Sequence, residues 1–330
     1  YDKALDVYYL TITYLAVLRN WRDRFSVGVV AALWYYRLVG VLAFEVTGAR
    51  WLLLVFPNTF EYVVIAIEVV RTRWDARRLS RSAVLWVTGL IWVVVKLPQE
   101  WWIHVAQLDF TDEFKQRILG VDPDEGWAAG FANRPWVAVL LVVLVVVLVL
   151  VARWAWPRLP APDWPFTVDA DEVARRSRRA DAAAPSAVVT VWAVVEKVVL
   201  VGLVTTILVL SYPRIEARWW AAWVVVAGTV LVHAAIQAWR VRTGRRAPTG
   251  LGTQLALNTA ISLVAMGALT ILLSGARPGV PVVDALLIAY VVALITTLYD
   301  RWAPATWTRG VAEATSVGAV VPSGPTRAQR

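Results

Sequence analysis

The side chains able to do chemistry are few, and most lie inside apolar stretches. Arg37 and Glu45 stand eight residues apart in one such stretch, hence roughly on one helical face. Asn58, Glu61 and Glu68 share a face in the next, with Pro57 just ahead of them. Glu196 and Lys197 are adjacent in a later one. Thr229, His233 and Gln237 follow at four-residue steps, as do Gln254, Asn258 and Ser262. An ionised group at the centre of a bilayer costs about 3 kcal/mol on insertion scales, so such groups turn toward a partner or water. Carboxylates, a histidine and a lysine at graded depth are the parts of a proton relay or an ion path. The competing reading is structural: buried pairs and amide hydrogen bonds also hold helices together.

Other chemistry finds little support. The chain has no cysteine, which excludes disulfides, thiolate metal sites and iron–sulfur clusters. Its two histidines, His104 and His233, fall on opposite sides of the membrane midplane in the topology below, too far apart to share a metal. His104, Asp109, Asp112 and Glu113 match no recognised cation site and read as a solvated acidic face. No nucleophile elbow or phosphate loop accompanies them. Neither a catalytic set, a metal site nor a cofactor is expected.

The elements that must position these residues are membrane spans. Hydrophobic residues make up 59% of the 330-residue chain and charged ones 17%, against about half and a quarter in soluble domains. Mean hydropathy is +0.58. The apolar residues gather into eight runs that can cross a bilayer, where about 20 residues are needed: Phe25–Thr47, Trp51–Val70, Ala83–Leu97, Trp136–Trp156, Ala187–Leu210, Trp219–Trp239, Leu251–Leu273 and Pro281–Tyr299. Ala83–Leu97 is the shortest. Pro57 removes a backbone hydrogen bond and opens a carbonyl in the second span.

Net charge is +9 and mostly arginine. The arginines crowd alternate short connections: Arg22 and Arg24, Arg73 to Arg81, Arg175 to Arg179, Arg240 to Arg246, and Arg301. That is the positive-inside pattern, and it sets both termini in the cytoplasm and argues against nucleic acid as a partner. Tryptophans mark both interfaces, Trp21, Trp74, Trp154, Trp239 and Trp302 inside and Trp51, Trp101, Trp102, Trp136 and Trp220 outside. By this topology Arg37 and Glu61 lie near mid-membrane and form an ion pair. Glu68, Glu196, Lys197, His233 and Asn258 lie in the inner half, where Lys197 pairs with Glu68 or Glu196. Glu45 and Lys96 lie in the outer half.

The expected fold is therefore an all-α integral membrane protein, a polytopic bundle of about eight transmembrane helices. Residues 1–24 read as a short interfacial helix on the cytoplasmic surface, too short for the usual span; the rival reading is a ninth span. The first four spans occupy 25–156. They include an outer loop, 98–134, whose first half has the spacing of an amphipathic interfacial helix. A Pro- and charge-rich cytoplasmic linker covers 157–186, the last four spans 187–302, and a disordered tail 303–330. The composition suggests the cytoplasmic membrane of a GC-rich bacterium. The function expected is movement of an ion, proton or small solute through a polar centre built from Arg37, Glu45, Asn58, Glu61, Glu68, Glu196, Lys197, His233, Gln237 and Asn258. The alternatives are a non-catalytic membrane subunit that docks other subunits or a second copy, and, third, a membrane enzyme using the outer acidic loop. The bilayer itself is the one partner the composition requires.

Overall fold

The computed structural model describes residues 2–21, 23–168, 191–211, 219–243, 250–274 and 285–302. Among them every regular element is helical. The helices are α1 (Asp2–Asn20), α2 (Arg24–Thr47), α3 (Trp51–Val55), α4 (Thr59–Arg71), α5 (Arg81–Val105), α6 (Phe110–Glu113), α7 (Trp127–Asn133), α8 (Pro135–Ala155), α9 (Val191–Leu210), α10 (Trp219–Arg242), α11 (Leu251–Ser274) and α12 (Ala285–Trp302). Seven helices among the described residues are long and apolar enough to cross a membrane, α3 and α4 counting as one. α9, 20 residues with one Glu and one Lys, matches the fifth expected run from Val191 on. The chain is a multi-pass helical membrane protein. The expected linker beyond Val168 and the tail from 303 lie outside the described residues, as do the starts of the fifth and eighth expected spans.

Caps and breakers set the helix bounds. Asp23 caps α2 by accepting from the Phe25 and Ser26 amides, and Gly48 ends it in the left-handed region at φ 70°. Ser80 caps α5 through the Ala83 amide. Pro57 has no N–H and divides the second span into α3 and α4.

One expectation changes here. The third span does not stop at Pro98: α5 runs to Val105, eight residues past Leu97. Its turns at Ile91–Lys96 and Trp101–Val105 are π-helical, and such widened turns absorb the hydrogen bond that Pro98 lacks. Trp101, Trp102 and His104 therefore belong to a span, and the outer-loop helix shrinks to α6 and the turn Phe114–Leu119. That loop is packed by a run of rings, Phe110 to Phe114 (5.9 Å), Phe114 to Trp127 (6.1 Å) and Trp127 to Phe131 (6.3 Å).

α1 packs against the bundle along one face. Val7, Leu10, Tyr14, Leu18 and Trp21 are all buried and recur at three- and four-residue steps, the pattern of a packed helix. Tyr14 stacks on Trp34 of α2 at 6.4 Å. The end of α1 is tied to α4, where Arg71 donates to the Asn20 carbonyl (3.1 Å).

α9 sits at the centre, against α1, α2 and α10. Its Leu200, Val201, Val204 and Ile207 are fully buried. α8 is the opposite case: Val137 is its one buried residue, and valines and leucines face outward all round. In lipid that exposure costs nothing, because acyl chains are as apolar as leucine. The segment after α8 folds back on the α4–α5 connection. Arg78 pairs with Asp163 (2.6 Å), and Trp164 donates to the Arg71 carbonyl (3.1 Å).

Candidate functional site

The buried polar side chains form two main clusters. The inner one is built on α9. Glu196 accepts from three tyrosines on three other helices: Tyr14 of α1 (3.0 Å), Tyr35 of α2 (3.4 Å) and Tyr299 of α12 (2.6 Å). The next residue, Lys197, donates to Asp300, the residue after Tyr299 (2.5 Å). Consecutive residues on a helix point about 100° apart, so α9 and α12 meet through two adjacent pairs on neighbouring faces. Lys197 is 2% exposed, so its charge is balanced by Asp300 inside the bundle. The expected partners of Lys197 are engaged elsewhere. Glu68 accepts from the Trp21 indole (2.6 Å) and from Arg71 (2.5 Å).

The outer cluster surrounds the break at Pro57. With the helix interrupted, the Val55 and Phe56 carbonyls lose their helical donors. α2 supplies replacements from two adjacent residues: the Tyr36 hydroxyl donates to Val55 (2.6 Å), and the Arg37 guanidinium donates to Phe56 (2.8 Å). Gly40, one turn on, lets α2 come this close, since a Cβ there would lie 2.1 Å from Phe56 Cβ. On the other side of the break the Asn58 amide donates to the Glu100 carboxylate of α5 (3.2 Å). Glu100 also meets Lys96 (3.3 Å) and His104 Nε2 (3.0 Å). Lys96 rests over the Tyr62 ring at 4.7 Å and donates to Gln99 (2.9 Å).

Arg37 thus turns to a carbonyl rather than pairing with Glu61, which instead accepts from the Asn58 side chain (2.9 Å). Tyr35 and Arg37, two residues apart on α2, reach the inner and outer clusters respectively.

A smaller polar line joins the last helices. His233 of α10 meets Ser262 of α11 (2.9 Å), and Asn258 of α11 donates to Thr297 of α12 (2.8 Å). Thr229 turns back on the Val225 carbonyl of its own helix (2.8 Å). Glu45 and Gln237 are half-buried and lie outside these clusters. In the outer loop Asp109 caps α6, and Glu113 pairs with Arg117, so these acids serve local structure. Among the described residues no group of three or more His, Cys, Asp or Glu is placed to hold a metal ion.

Of the expected residues, the structure assembles Arg37, Asn58 and Glu61 at the break and sets Glu196 beside Lys197, but not as a direct pair. The sequence reading missed Glu100, Tyr14, Tyr35, Tyr299 and Asp300. Asp300 and Glu100 sat just past the expected span ends, and tyrosines carry no charge to mark them.

No known protein family, curated protein or solved structure matches this chain.

Proposed function

We propose that the protein moves an ion, a proton or a small solute through the polar centre of its bundle, in the cytoplasmic membrane of a bacterium with the arginine-rich connections inside. The observation that supports this is the pair of buried polar clusters, one at the break in the second span, reached by Arg37 of α2, and one between α9 and α12, reached by Tyr35 of α2. Helix association needs fewer buried charges than this, and an unwound segment of a span inside the bundle is where transporters bind what they carry. Glu196, with its three tyrosine donors, is the carboxylate at the centre of the inner cluster.

The test is flux in proteoliposomes. Purified protein should carry proton or ion current, and Glu196→Gln should abolish it while the variant still folds and melts cooperatively. Undiminished flux through that variant removes Glu196 from the mechanism; no flux of any ion through the wild type ends the transport reading.

A scaffold subunit that docks other membrane chains is the second reading. It requires stable co-purification with other membrane chains, where the transport reading requires activity from the protein alone.

A further inference from the structure

The connection between α5 and α8, residues 106–134, carries apolar rings on its surface and satisfies its own carbonyls. α6 and the turn after it form one helical stretch, in which Phe110, Phe114 and Ile118 recur at four-residue steps with Asp112 and Gln116 between them. Phe110 is 68% exposed, Ile118 40% and Trp127, at the start of α7, 45%. The rings make one continuous row. It begins at Trp102 of α5, 6.5 Å from Phe110, and passes through Phe114 and Trp127 to Phe131 of α7, just ahead of α8. At each end the row meets the exposed apolar surface of a span, Trp101 and Ile103 on α5 and Trp136 and Val139 on α8. The backbone beside the row adds a second feature. A helix end leaves its last carbonyls without donors, and in a loop standing in water the solvent supplies them. Here side chains do. Arg134 donates to the Arg117 (3.1 Å) and Ile118 (2.9 Å) carbonyls, Asn133 to those of Leu119 (2.9 Å) and Gly120 (3.1 Å), and Lys115 to that of Pro123 (2.6 Å). Irregular backbone away from water needs that internal supply.

We propose that this connection is a lipid-binding surface immersed in the leaflet where α5 ends and α8 begins. Phe110, Ile118 and Trp127 sit among the glycerol groups and upper acyl chains, and Asp122, Asp124 and Glu125 stand in water. The occupant of the apolar face is then the bilayer that already surrounds α5 and α8, without a gap between them. Aromatic side chains favour that level, and an amphipathic stretch with Phe and Trp on one face lies along it. Apolar burial holds the loop there, not charge. Asp109, Asp112, Glu113, Asp122, Asp124 and Glu125 outnumber Lys115, Arg117 and Arg134, six acids against three bases, so anionic headgroups give no net attraction. The immersed loop also steadies α8, which packs on α7 at this end and is exposed to lipid along the rest of its length. The inference is independent of the transport reading, and its test involves no flux.

The experiment places the full chain in vesicles of phosphatidylcholine, with and without phosphatidylglycerol. The chain has no cysteine, so Phe110→Cys, Ile118→Cys and Trp127→Cys each take a single nitroxide label. Val145→Cys in α8 is the lipid reference and Asp124→Cys the water reference, both at exposed positions. Power saturation reads how often each label collides with oxygen, which concentrates in lipid, and with a water-soluble nickel chelate. At the three loop positions nickel collisions should fall several-fold below those at Asp124, oxygen collisions should approach those at Val145, and both vesicles should give the same pattern. Nickel collisions as frequent as at Asp124 would put the face in water and overturn the proposal. Low collision rates with both reagents would mean that protein covers the face, a second copy or another part of the chain, and overturn it equally. Labels that reach lipid only when phosphatidylglycerol is present would assign the contact to charge, against the apolar row. Ile118 is not one of the stacked rings, so Ile118→Cys decides the outcome if loss of a ring keeps the other two variants from folding.

Discussion

Lys197 and Asp300 form an ion pair at 2.5 Å in which the lysine side chain is 3% exposed. A pair at this depth contributes little against an apolar pair of the same shape, yet breaking it leaves a bare charge inside. Asp300→Asn should therefore destabilise the protein by about 3 kcal/mol or more. The double variant Lys197→Met, Asp300→Leu should recover most of that loss, since no charge is left unpaired. Denaturation of the three proteins in one detergent measures both effects; equal losses for single and double variants would mean the pair is held by something other than charge.

The three tyrosines on Glu196 predict a graded series. A hydrogen bond to a charged group is worth about 1.5–3 kcal/mol, and shorter bonds hold more. Tyr299→Phe, which removes the 2.6 Å bond, should cost most. Tyr14→Phe follows at 3.0 Å, and Tyr35→Phe at 3.4 Å should cost least. Each change keeps the ring, so Trp34 keeps its stacking partner in Tyr14→Phe. Unfolding midpoints in the reverse order would show that packing, not the carboxylate, fixes these side chains.

Much of this fold was legible in the sequence. Apolar run length placed the spans, since nothing but lipid tolerates Val139 to Val151 exposed on every side. Pro57 announced the break, and Arg37, Asn58 and Glu61 were found around it. The partners were not legible, because a mid-membrane charge says that it needs a counterpart and not which one. Glu100 was hidden behind Pro98, read as a stop when a π-helical turn carries the helix past it. For α1, Asp6 and the short apolar run weigh against a span, and the spacing of Val7, Leu10, Tyr14, Leu18 and Trp21 marks a helix packed on others.

Gly40 should tolerate no side chain. Gly40→Ala would set its Cβ 2.1 Å from Phe56 Cβ and 2.5 Å from Phe56 Cγ, atoms near the backbone that cannot swing clear. Overpacking of this kind costs about 1–3 kcal/mol, and α2 must move away from the break that Tyr36 and Arg37 satisfy. Gly28, with nothing near its position, is the control, and Gly28→Ala should be neutral or slightly stabilising because alanine favours the helix. Comparable losses at both positions would remove the close approach of α2 as the cause.

The connection between α4 and α5 should loosen in acid. Burial alone would raise the Asp75 carboxyl, but hydrogen bonds from the Arg77 side chain and amide, and the charges of Arg77 and Arg78, hold it below the usual carboxylate range. A carboxyl depressed in the folded state contributes stability above its unfolded value, about 4, and loses it as pH falls through the lower folded value. Asp163 fastens the same loop to the segment after α8, donated to by the Asp75 amide (2.8 Å) and paired with Arg78. Hydrogen exchange in this loop should be constant from pH 5 to 8, after correction for intrinsic rates, and accelerate below about 4. Arg77→Gln should lessen that acid step, because the folded carboxyl then lies nearer its unfolded value. An acid step undiminished by this change would assign it to another group.

The contacts of α1 predict which side of the membrane its start occupies. Trp21 and Asn20, at its end, meet Glu68 and Arg71 at the arginine-rich end of α4. Tyr14 reaches Glu196, and Asp6 lies within the field of Arg37, 13 residues beyond Arg24 on α2. α1 therefore climbs beside α2 in the opposite direction. Its 19 residues measure about 28 Å, close to the hydrocarbon thickness of about 30 Å. The chain has no cysteine, so single introduced thiols report position without background. Ala4→Cys should react with a membrane-impermeant maleimide from the face opposite to that which exposes Ser82→Cys at the start of α5. Labelling of both from one face would return α1 to the headgroup plane, with the start of the chain beside the arginine-rich connections.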